Sequence, residues 1–290
     1  MVHGKSKIKN HKSKIKNRKT LANKGSYFAK HKAQIHGAEE ERGQRKPFTP
    51  ITEAQRKIFE DGQVLLLDKS LHWTSFDAVR KIRNAIKIKK VGHAGTLDPL
   101  ATGLLIVCTG KFTKKINEFM AQEKEYTGSL TLGAVTATYD KESEPSAFKD
   151  ISNITEQMLQ DATTNFTGEI LQMPPVYSAI KKDGVAAYEL ARRGEVVEMK
   201  ARPVTISVFE IVGIQLPEVH FRVVCSTGTY IRSLAHDYGA ALGCGAYLSS
   251  LRRTRIGEHN VSDAVTIDKF TGSLQFEEPG QQEESVKKDN

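Results

Sequence analysis

The chain has 290 residues, of which 39% are hydrophobic and 27% charged, so it can bury a core, and disorder throughout is excluded. It contains no apolar run of about 18 residues, so no transmembrane helix is expected. Its three cysteines, Cys108, Cys225 and Cys244, fit neither a disulfide framework nor a Cys-x-x-Cys zinc pair, and they predict reduced, cytosolic thiols.

Positive charge is concentrated at the start of the chain. Residues 1–47 hold 14 Lys and Arg against three Glu, a net charge of +11, whereas the rest of the chain nets −2. The sequence Lys-Ser-Lys-Ile-Lys-Asn occurs at 5–10 and again at 12–17, but one Ile per repeat cannot form a coiled-coil seam. We therefore predict a basic, disordered extension over residues 1–60, with targeting as an alternative role.

Between residues 61 and 270, apolar residues recur with the periods of strands and helices in turn. The predicted strands cover 63–69, 103–109, 204–213, 219–226 and 247–256, with a strand pair over 126–139. The predicted helices begin at or near Ser75, Phe112, Thr155, Tyr188 and Tyr230, with Ser75 and Thr155 as N-caps. This order predicts one α+β or mixed α/β domain over 61–270, followed by an acidic, disordered tail over 271–290.

One segment differs from the others in composition. Residues 92–103 have the sequence Gly-His-Ala-Gly-Thr-Leu-Asp-Pro-Leu-Ala-Thr-Gly, which places a single carboxylate, Asp98, in a loop before a buried strand. Glycines and a proline around Asp98 indicate a specified backbone, as a positioned nucleophile or base requires. The alternative is an Asx-turn, in which the carboxylate caps its own backbone. His93 and Asp98 lack a third metal ligand nearby, so no metal site is predicted.

Residues 92–103 closely resemble the active-site motif of the TruB family of tRNA pseudouridine synthases. Further motifs of that family follow in the same order along the chain. They are Lys-Glu-Tyr at 124–126, Met-Pro-Pro-Val-Tyr-Ser-Ala at 173–179, Arg-Pro-Val at 202–204, Cys-Ser-Thr-Gly-Thr-Tyr-Ile-Arg-Ser-Leu at 225–234 and Leu-Arg-Arg at 251–253. The resemblance covers about residues 62–270. It implies a catalytic domain whose central sheet is largely antiparallel and flanked by helices.

This resemblance implies that the chain isomerises a uridine in the T-loop of tRNA, at tRNA position 55, to pseudouridine without cofactor or metal. Asp98 would be the nucleophile, attacking either C1′ of the ribose or C6 of the base. Arg232 would pair with Asp98 and keep it ionised. Tyr126 would stack on the flipped base and is the candidate for the base that removes the C5 proton.

The resemblance assigns the remaining site residues by their motif positions. Tyr230 and Leu251 would line the pocket, and His93, Lys69 and Arg252 would contact RNA. The T-arm of tRNA is then the expected partner of a cytoplasmic, monomeric enzyme that needs no protein partner.

The sequence departs from the family in two places. The family has Lys-Pro-x-Gly-x-x-Ser after its first strand, whereas residues 69–75 read Lys-Ser-Leu-His-Trp-Thr-Ser, without the Pro and the Gly. Many bacterial members carry a small C-terminal RNA-binding domain, and we expect none here because only about 20 residues follow Phe270.

Two other functions stay open from the sequence. One is a guide-RNA-dependent synthase of the dyskerin branch, against which the Asp-Pro-Leu-Ala-Thr-Gly form of the motif argues. The other is a tRNA-folding chaperone without catalysis, against which Asp98, Tyr126 and Arg232 together argue.

The basic extension leads to a first prediction. If residues 1–47 contact phosphates, their deletion will raise the dissociation constant for tRNA and flatten its salt dependence, by roughly 0.7–0.9 in slope per lost contact. Turnover at saturating tRNA will not change, because the extension does not touch the reacting base. A salt titration of binding for the full chain and for a chain starting near Phe48 checks this. Identical slopes would show that the extension does not bind tRNA.

Overall fold

The structure is a computed structural model that describes residues 51–182 and 184–276. Its main feature is a large mixed sheet with the strand order β12-β1-β3-β10-β4-β9-β8-β5, with β2 on β3 and β11 on β10. The strands of this sheet are β1 Val64–Lys69, β2 Val91–His93, β3 Ala101–Thr109, β4 Lys124–Leu132, β5 Gly168–Gln172, β8 Arg202–Gln215, β9 Glu218–Cys225, β10 Ala246–Ile256, β11 His259–Asn260 and β12 Val265–Thr266. A separate hairpin pairs β6 Lys181–Lys182 with β7 Val185–Ala186.

Helices pack around this sheet. They are α1 Glu53–Asp61, α2 Ser75–Ile86, α3 Ile116–Ala121, α4 Glu156–Thr163, α5 Ala187–Arg192, α6 Ile231–Ala241 and α7 Ile267–Gly272. Among the pairs of the large sheet, β3–β10 and β1–β12 are parallel and the others are antiparallel. This confirms the predicted class, a central and largely antiparallel sheet flanked by helices.

Strand β3 lies in the interior and is covered on both faces. Leu105 and Val107 pack with the apolar face of α2, whereas Leu104 and Ile106 point to the opposite face, where Ile256 of β10 is buried. A strand buried on both sides has an uninterrupted apolar sequence, which explains the run from 104 to 108. The Asp98 loop precedes this strand directly and so starts from a rigid base.

Helix α2 begins differently from the prediction. The N-cap is Thr74, which forms a capping box with Asp77, and not Ser75. The Ser75 side chain is thereby free to turn inward, and its Oγ accepts a hydrogen bond from the Leu97 amide at 2.9 Å. Because Ser75 was predicted to cap the helix, its contact with Leu97 of the Asp98 loop was not predicted.

The strand pair predicted over 126–139 is also wrong. Strand β4 ends at Leu132, and after Gly133 the chain makes only isolated bridges, Val135 with Ser146 and Asp140 with Leu248. Threonines cause the strand-like pattern of this segment, but the hydroxyls of Thr136 and Thr138 both donate to Asp140 within a tight turn.

The folded region extends beyond both predicted limits. Helix α1 lies within the segment predicted as disordered, and its Phe59 is buried against Phe270. At the other end, α7 runs past residue 270, and Phe276 bridges back to Ile51. Residues 1–50 and 277–290, including most of the predicted extension and tail, lie outside the described residues. No helix of the described part is long and apolar enough to cross a membrane.

The close approach of β3 and β10 gives a second prediction. Gly103 has φ +101°, and a Cβ there would lie 2.3 Å from the backbone oxygen of Arg253. Gly103→Ala will therefore lower the free energy of unfolding by about 3–5 kcal/mol, from backbone strain plus overpacking. Gly168, with φ +96° and no atom of the described residues within 4 Å of its added Cβ, is the matched control.

Gly168→Ala will cost only about 1–2 kcal/mol, because it introduces the strain without the clash. Urea unfolding of both variants checks the difference. Equal losses would show that contact with the Arg253 backbone contributes nothing.

Candidate active site

The Asp98 loop is held at several points between β2 and β3. The Ser75 hydroxyl donates to the Leu97 oxygen at 3.2 Å and accepts from the Leu97 amide. The His72 amide donates to the Pro99 oxygen at 2.8 Å. These bonds fix the backbone on both sides of the carboxylate, as a positioned group requires.

His72 stands where the family has glycine, and it adopts the backbone conformation that glycine would favour. Its φ is +68°, in the left-handed region, which His occupies more readily than most side chains. The turn that the sequence placed in doubt therefore keeps a left-handed residue at this position, and that residue binds the Asp98 loop.

Asp98 and Arg232 form an ion pair. The Nε of Arg232 lies 2.9 Å from Oδ2 of Asp98, and Nη2 donates to Oδ1 at 3.4 Å. The Arg232 side chain is 5% exposed, whereas that of Asp98 is 39% exposed. Thus the arginine is enclosed and the carboxylate faces outward. In the described part of the chain, the Asp98 carboxylate bonds to Arg232 and not to its own loop, which disfavours the Asx-turn alternative.

Arg232 has further partners that the sequence did not reveal. Nη1 donates to the Thr138 oxygen at 3.1 Å and Nη2 to the Tyr177 oxygen at 3.0 Å. The Asp140 carboxylate lies 3.7 Å from Nε. Burial raises the pKa of Asp140, and this outweighs the opposing effect of Arg232. A second, largely buried acid therefore lies beside the arginine, with its side chain 6% exposed.

A small open cleft lies beside the ion pair. Asp98, Asp140 and Arg232 line one part of it, and the rest is lined by residues of the β3 start and of β10, namely Leu100, Ala101, Leu248, Ser249, Ser250 and Leu251. Leu251 reaches the cleft because it pairs in register with Ala101 on the parallel strand β3. The predicted pocket residue Leu251 is therefore beside Asp98.

Tyr126 lies beneath the cleft and is buried. It pairs in register with Arg253 of β10, another buried residue. Burial raises the pKa of Tyr126, and the nearby Arg253 guanidinium only partly offsets this. The phenol is therefore neutral near pH 7.

Arg253 is a site residue that the sequence analysis missed. Its Nε donates to the Leu104 oxygen at 2.8 Å and its Nη2 to the Gly95 oxygen at 3.1 Å, so it supports the Asp98 loop from below. The available signal was the alternation of a strand: Arg253 is two residues from Leu251 and shares its face, whereas Arg252 points the other way.

Tyr230 precedes α6, on the side of the sheet that carries Arg232. Its backbone amide donates to Gln172 Oε1 at 2.8 Å, and its backbone oxygen accepts from Gln172 Nε2 at 3.1 Å. The Arg202 guanidinium lies 5.0 Å from the centre of its ring. Tyr230 is not among the residues that line the cleft.

Lys69 is fully buried, although the sequence predicted it at the RNA surface. Its Nζ donates to the Trp73 oxygen at 2.6 Å and the Ser70 oxygen at 3.1 Å. Burial lowers the pKa of Lys69 to about 8, an effect that the Asp98 charge partly opposes. Contact with RNA would require this ammonium group to leave both carbonyls.

The other two predicted RNA contacts lie nearer the surface. Arg252 makes a two-pronged pair with Asp68, at 3.0 and 2.7 Å, and remains 40% exposed. His93 pairs in register with Val107, and burial lowers the pKa of its imidazole, which is therefore neutral near pH 7. Among the described residues, no cluster of three or more His, Cys, Asp or Glu could hold a metal ion.

Comparison with known proteins identifies the class of enzyme. The family model for TruB family pseudouridylate synthase (N terminal domain) matches residues 83–231, which include both Asp98 and Tyr126. The model for the tRNA pseudouridylate synthase B C-terminal domain matches residues 232–288. In the described part of that second segment, α6, β10 and α7 pack with the large sheet and form no separate unit.

Curated relatives match over most of their length. The tRNA pseudouridine synthase B of Flavobacterium johnsoniae is 54% identical over 222 residues, which is 74% of this chain and 97% of the relative. The proteins of the same name from Phocaeicola vulgatus and Chlorobaculum tepidum are 49% and 50% identical, over 76% and 75% of this chain and 96% and 92% of theirs. The chain belongs to the TruB family of pseudouridylate synthases.

Solved structures share the fold. An H/ACA RNP bound to a substrate RNA containing 2′-deoxyuridine matches with a TM-score of 0.57 and 26% identity, over 80% of this chain and 60% of that one. A Cbf5-Nop10-Gar1 complex matches with a TM-score of 0.57 and 28% identity, over 79% and 61%. This chain thus spans about three fifths of those proteins.

The buried Lys69 gives a third prediction, on pH. Its pKa is lowered from 10.5 to about 8, so between these values the unfolded chain binds more protons than the folded one. The free energy of unfolding of the natural protein, relative to Lys69→Met, will therefore increase by about 2 kcal/mol between pH 8 and pH 10.

The comparison with Lys69→Met removes the contributions of other groups that titrate in this range, such as Lys124, whose pKa burial also lowers to about 8. Urea unfolding of both proteins at the two pH values gives the measurement. A difference that does not change with pH would mean that the folded protein holds Lys69 charged throughout.

Proposed function

We propose that this pseudouridylate synthase acts on tRNA and isomerises the T-loop uridine at tRNA position 55, with Asp98 as the nucleophile. The observation that carries the proposal is the ion pair at the cleft, in which a buried Arg232 presents an outward-facing Asp98 carboxylate. The substrate follows from the relatives, which are called tRNA pseudouridine synthase B and are 47–54% identical to this chain.

The reaction breaks the N1–C1′ bond, forms a C5–C1′ bond, removes the proton from C5 and leaves one on N1. Its product has the same atoms as its substrate, so it needs no oxidant, reductant or group donor. The base cannot be rotated within a stacked loop, and the nucleotide must first be flipped into the cleft. The Asp98 carboxylate then divides one difficult exchange into two steps by bonding to C1′ or to C6.

Arg232 would act on Asp98 and not on the base, since its guanidinium is enclosed. It holds the carboxylate in one orientation through two nitrogen–oxygen contacts, at 2.9 and 3.4 Å. A preorganised charge of this kind does not have to reorient during the reaction. Its stabilisation of the transition state is therefore not reduced by a reorganisation cost.

Tyr126 would stack on the flipped base, as the family motif implies. Because its raised pKa keeps the phenol protonated near pH 7, it could remove the C5 proton only if its own proton left in the same step. Tyr126 is buried in this structure, so the flipped base would reach its ring only if the cleft opened.

The remaining predicted residues would contribute to RNA binding. His93 would fill the gap that the flipped nucleotide leaves, and a neutral imidazole suits that apolar, stacked position. Arg252 is exposed enough for its guanidinium to reach a phosphate. Leu251 would bound the pocket from β10, whereas Tyr230, which precedes α6, does not line the cleft.

Identity favours a stand-alone enzyme over the guide-RNA-dependent alternative. The matching H/ACA and Cbf5 structures are 26–28% identical, about half the value for the tRNA enzymes. We infer a monomer that works in the cytoplasm on free tRNA. A chaperone role without catalysis would leave the Asp98–Arg232 pair without a purpose.

Replacement of the nucleophile is the direct test. Asp98→Asn will abolish pseudouridine formation, because an amide of the same shape cannot form the covalent intermediate, while tRNA affinity will change little. Pure protein is incubated with tRNA whose uridines carry tritium at C5, without guide RNA. Conversion is measured as the release of tritium.

Asp150→Asn makes the same chemical change on an exposed loop and serves as the matched control. It will turn over at the rate of the natural protein. Activity of Asp98→Asn within tenfold of that rate would remove Asp98 from the mechanism, and inactivity of the natural protein on tRNA would reject the proposed substrate.

A further inference from the structure

Tyr139 lies between Thr138 and Asp140, the two turn residues that contact Arg232, and its backbone conformation is unusual. Tyr139 has φ +64°, in the left-handed region, where a bulky side chain is a genuine outlier. Its neighbours Thr138 and Asp140 supply a carbonyl and a carboxylate to Arg232. Strained conformations persist only where the surroundings enforce them, so something must hold Tyr139 in place.

Besides the bond of its amide to the Thr136 oxygen within the turn, at 3.3 Å, two contacts tie Tyr139 to other elements. Its backbone oxygen accepts from the Leu248 amide at 2.9 Å, which ties the turn to β10. Its ring stacks on the imidazole of His236, with centroids 3.9 Å apart and planes 14° apart, which ties the turn to α6. The Nδ1 of His236 is buried and has no hydrogen-bond partner among the described residues.

His236 is four residues after Arg232 on α6, and residues at this spacing lie on the same face of a helix. The turn therefore meets one face of α6 at two neighbouring points. Thr138 and Asp140 contact Arg232, and Tyr139 between them contacts His236.

We propose that Tyr139 and His236 are a pair of positioning residues that hold the 138–140 turn against α6 and so orient the Arg232 guanidinium toward Asp98. Neither side chain contacts the reacting base. The pair acts through Arg232, because the stack ties the turn to α6, and without it Thr138 and Asp140 can move away from Arg232. The inference rests on the proposed role of Asp98.

The test separates the ring from the backbone. Tyr139→Gly deletes the stack but favours a positive φ, and Tyr139→Phe keeps the stack and loses only the hydroxyl. We expect single-turnover rates at saturating RNA to fall about 10–100-fold for Tyr139→Gly, because small misplacements near a reacting group carry costs of this size. The dissociation constant for RNA will stay within about twofold. Tyr139→Phe will retain most of the rate.

His236 provides the same test from the other side of the stack. His236→Ala will lower the rate to a similar extent, His236→Phe will restore most of it, and Tyr139→Gly combined with His236→Ala will be no slower than either variant alone. His259→Ala is the matched control, since it removes an imidazole–aromatic contact with Phe119, with centroids 5.6 Å apart and remote from Arg232.

The rates are measured on whichever RNA the natural protein converts, so failure of the proposed tRNA substrate is seen separately in the natural protein. Thermal unfolding identifies a variant that does not fold. In that case the rates of His236→Phe and Tyr139→Phe show whether an aromatic stack is enough to position Arg232. The proposal is overturned by an unchanged rate in Tyr139→Gly, by additive losses in the double variant, or by aromatic replacements that fail to restore the rate in folded protein.

Discussion

The guanidinium of Arg232 is buried, and a buried charge is tolerated only when its hydrogen-bonding groups are satisfied. Groups from three separated segments surround it: Nη1 donates to Thr138, Nη2 donates to Tyr177 and Asp98, and the Asp140 carboxylate, in the same turn as Thr138, lies 3.7 Å from Nε. Both carboxylates line the cleft, but Asp140 is 6% exposed whereas Asp98 is 39% exposed. The need to satisfy one enclosed cation thereby determines where the loop before β3, the turn after β4 and the chain before α5 must meet.

A second enclosed arginine acts from the opposite side of the loop. Arg253 bonds to carbonyls at Gly95 and Leu104 and pairs with no acid among the described residues, so it neutralises partial charges of the backbone while Arg232 neutralises a carboxylate. The loop is thus held by its side chain from α6 and by its backbone from β10. Such support from two rigid elements gives a more precise site than a loop alone could provide.

Motif resemblance singled out Asp98, Arg232 and Leu251, and the structure brings these three residues together at the cleft. The sequence could not place Asp140, because its role follows from a contact between segments far apart in the chain. Arg253 was missed although strand alternation puts it on the same face as Leu251. Periodicity also failed where polar groups bond locally, as in the threonine-rich turn after β4. The full burial of Lys69 was hidden for a related reason: its carbonyl partners lie in a turn whose family signature is altered here.

The parallel pairing of β3 with β10 has a consequence for biosynthesis. Asp98 pairs with Arg232, which lies 134 positions later in the chain. Leu104, on the strand after Asp98, accepts a hydrogen bond from Arg253, which lies 149 positions later. Contacts of such separation form late, after the cost of closing long loops has been met. A nascent chain that has emerged only as far as β9 would hold the whole Asp98 loop, yet it would lack both arginines. Catalytic competence should therefore arise in a single late step, when most of the polypeptide has left the ribosome.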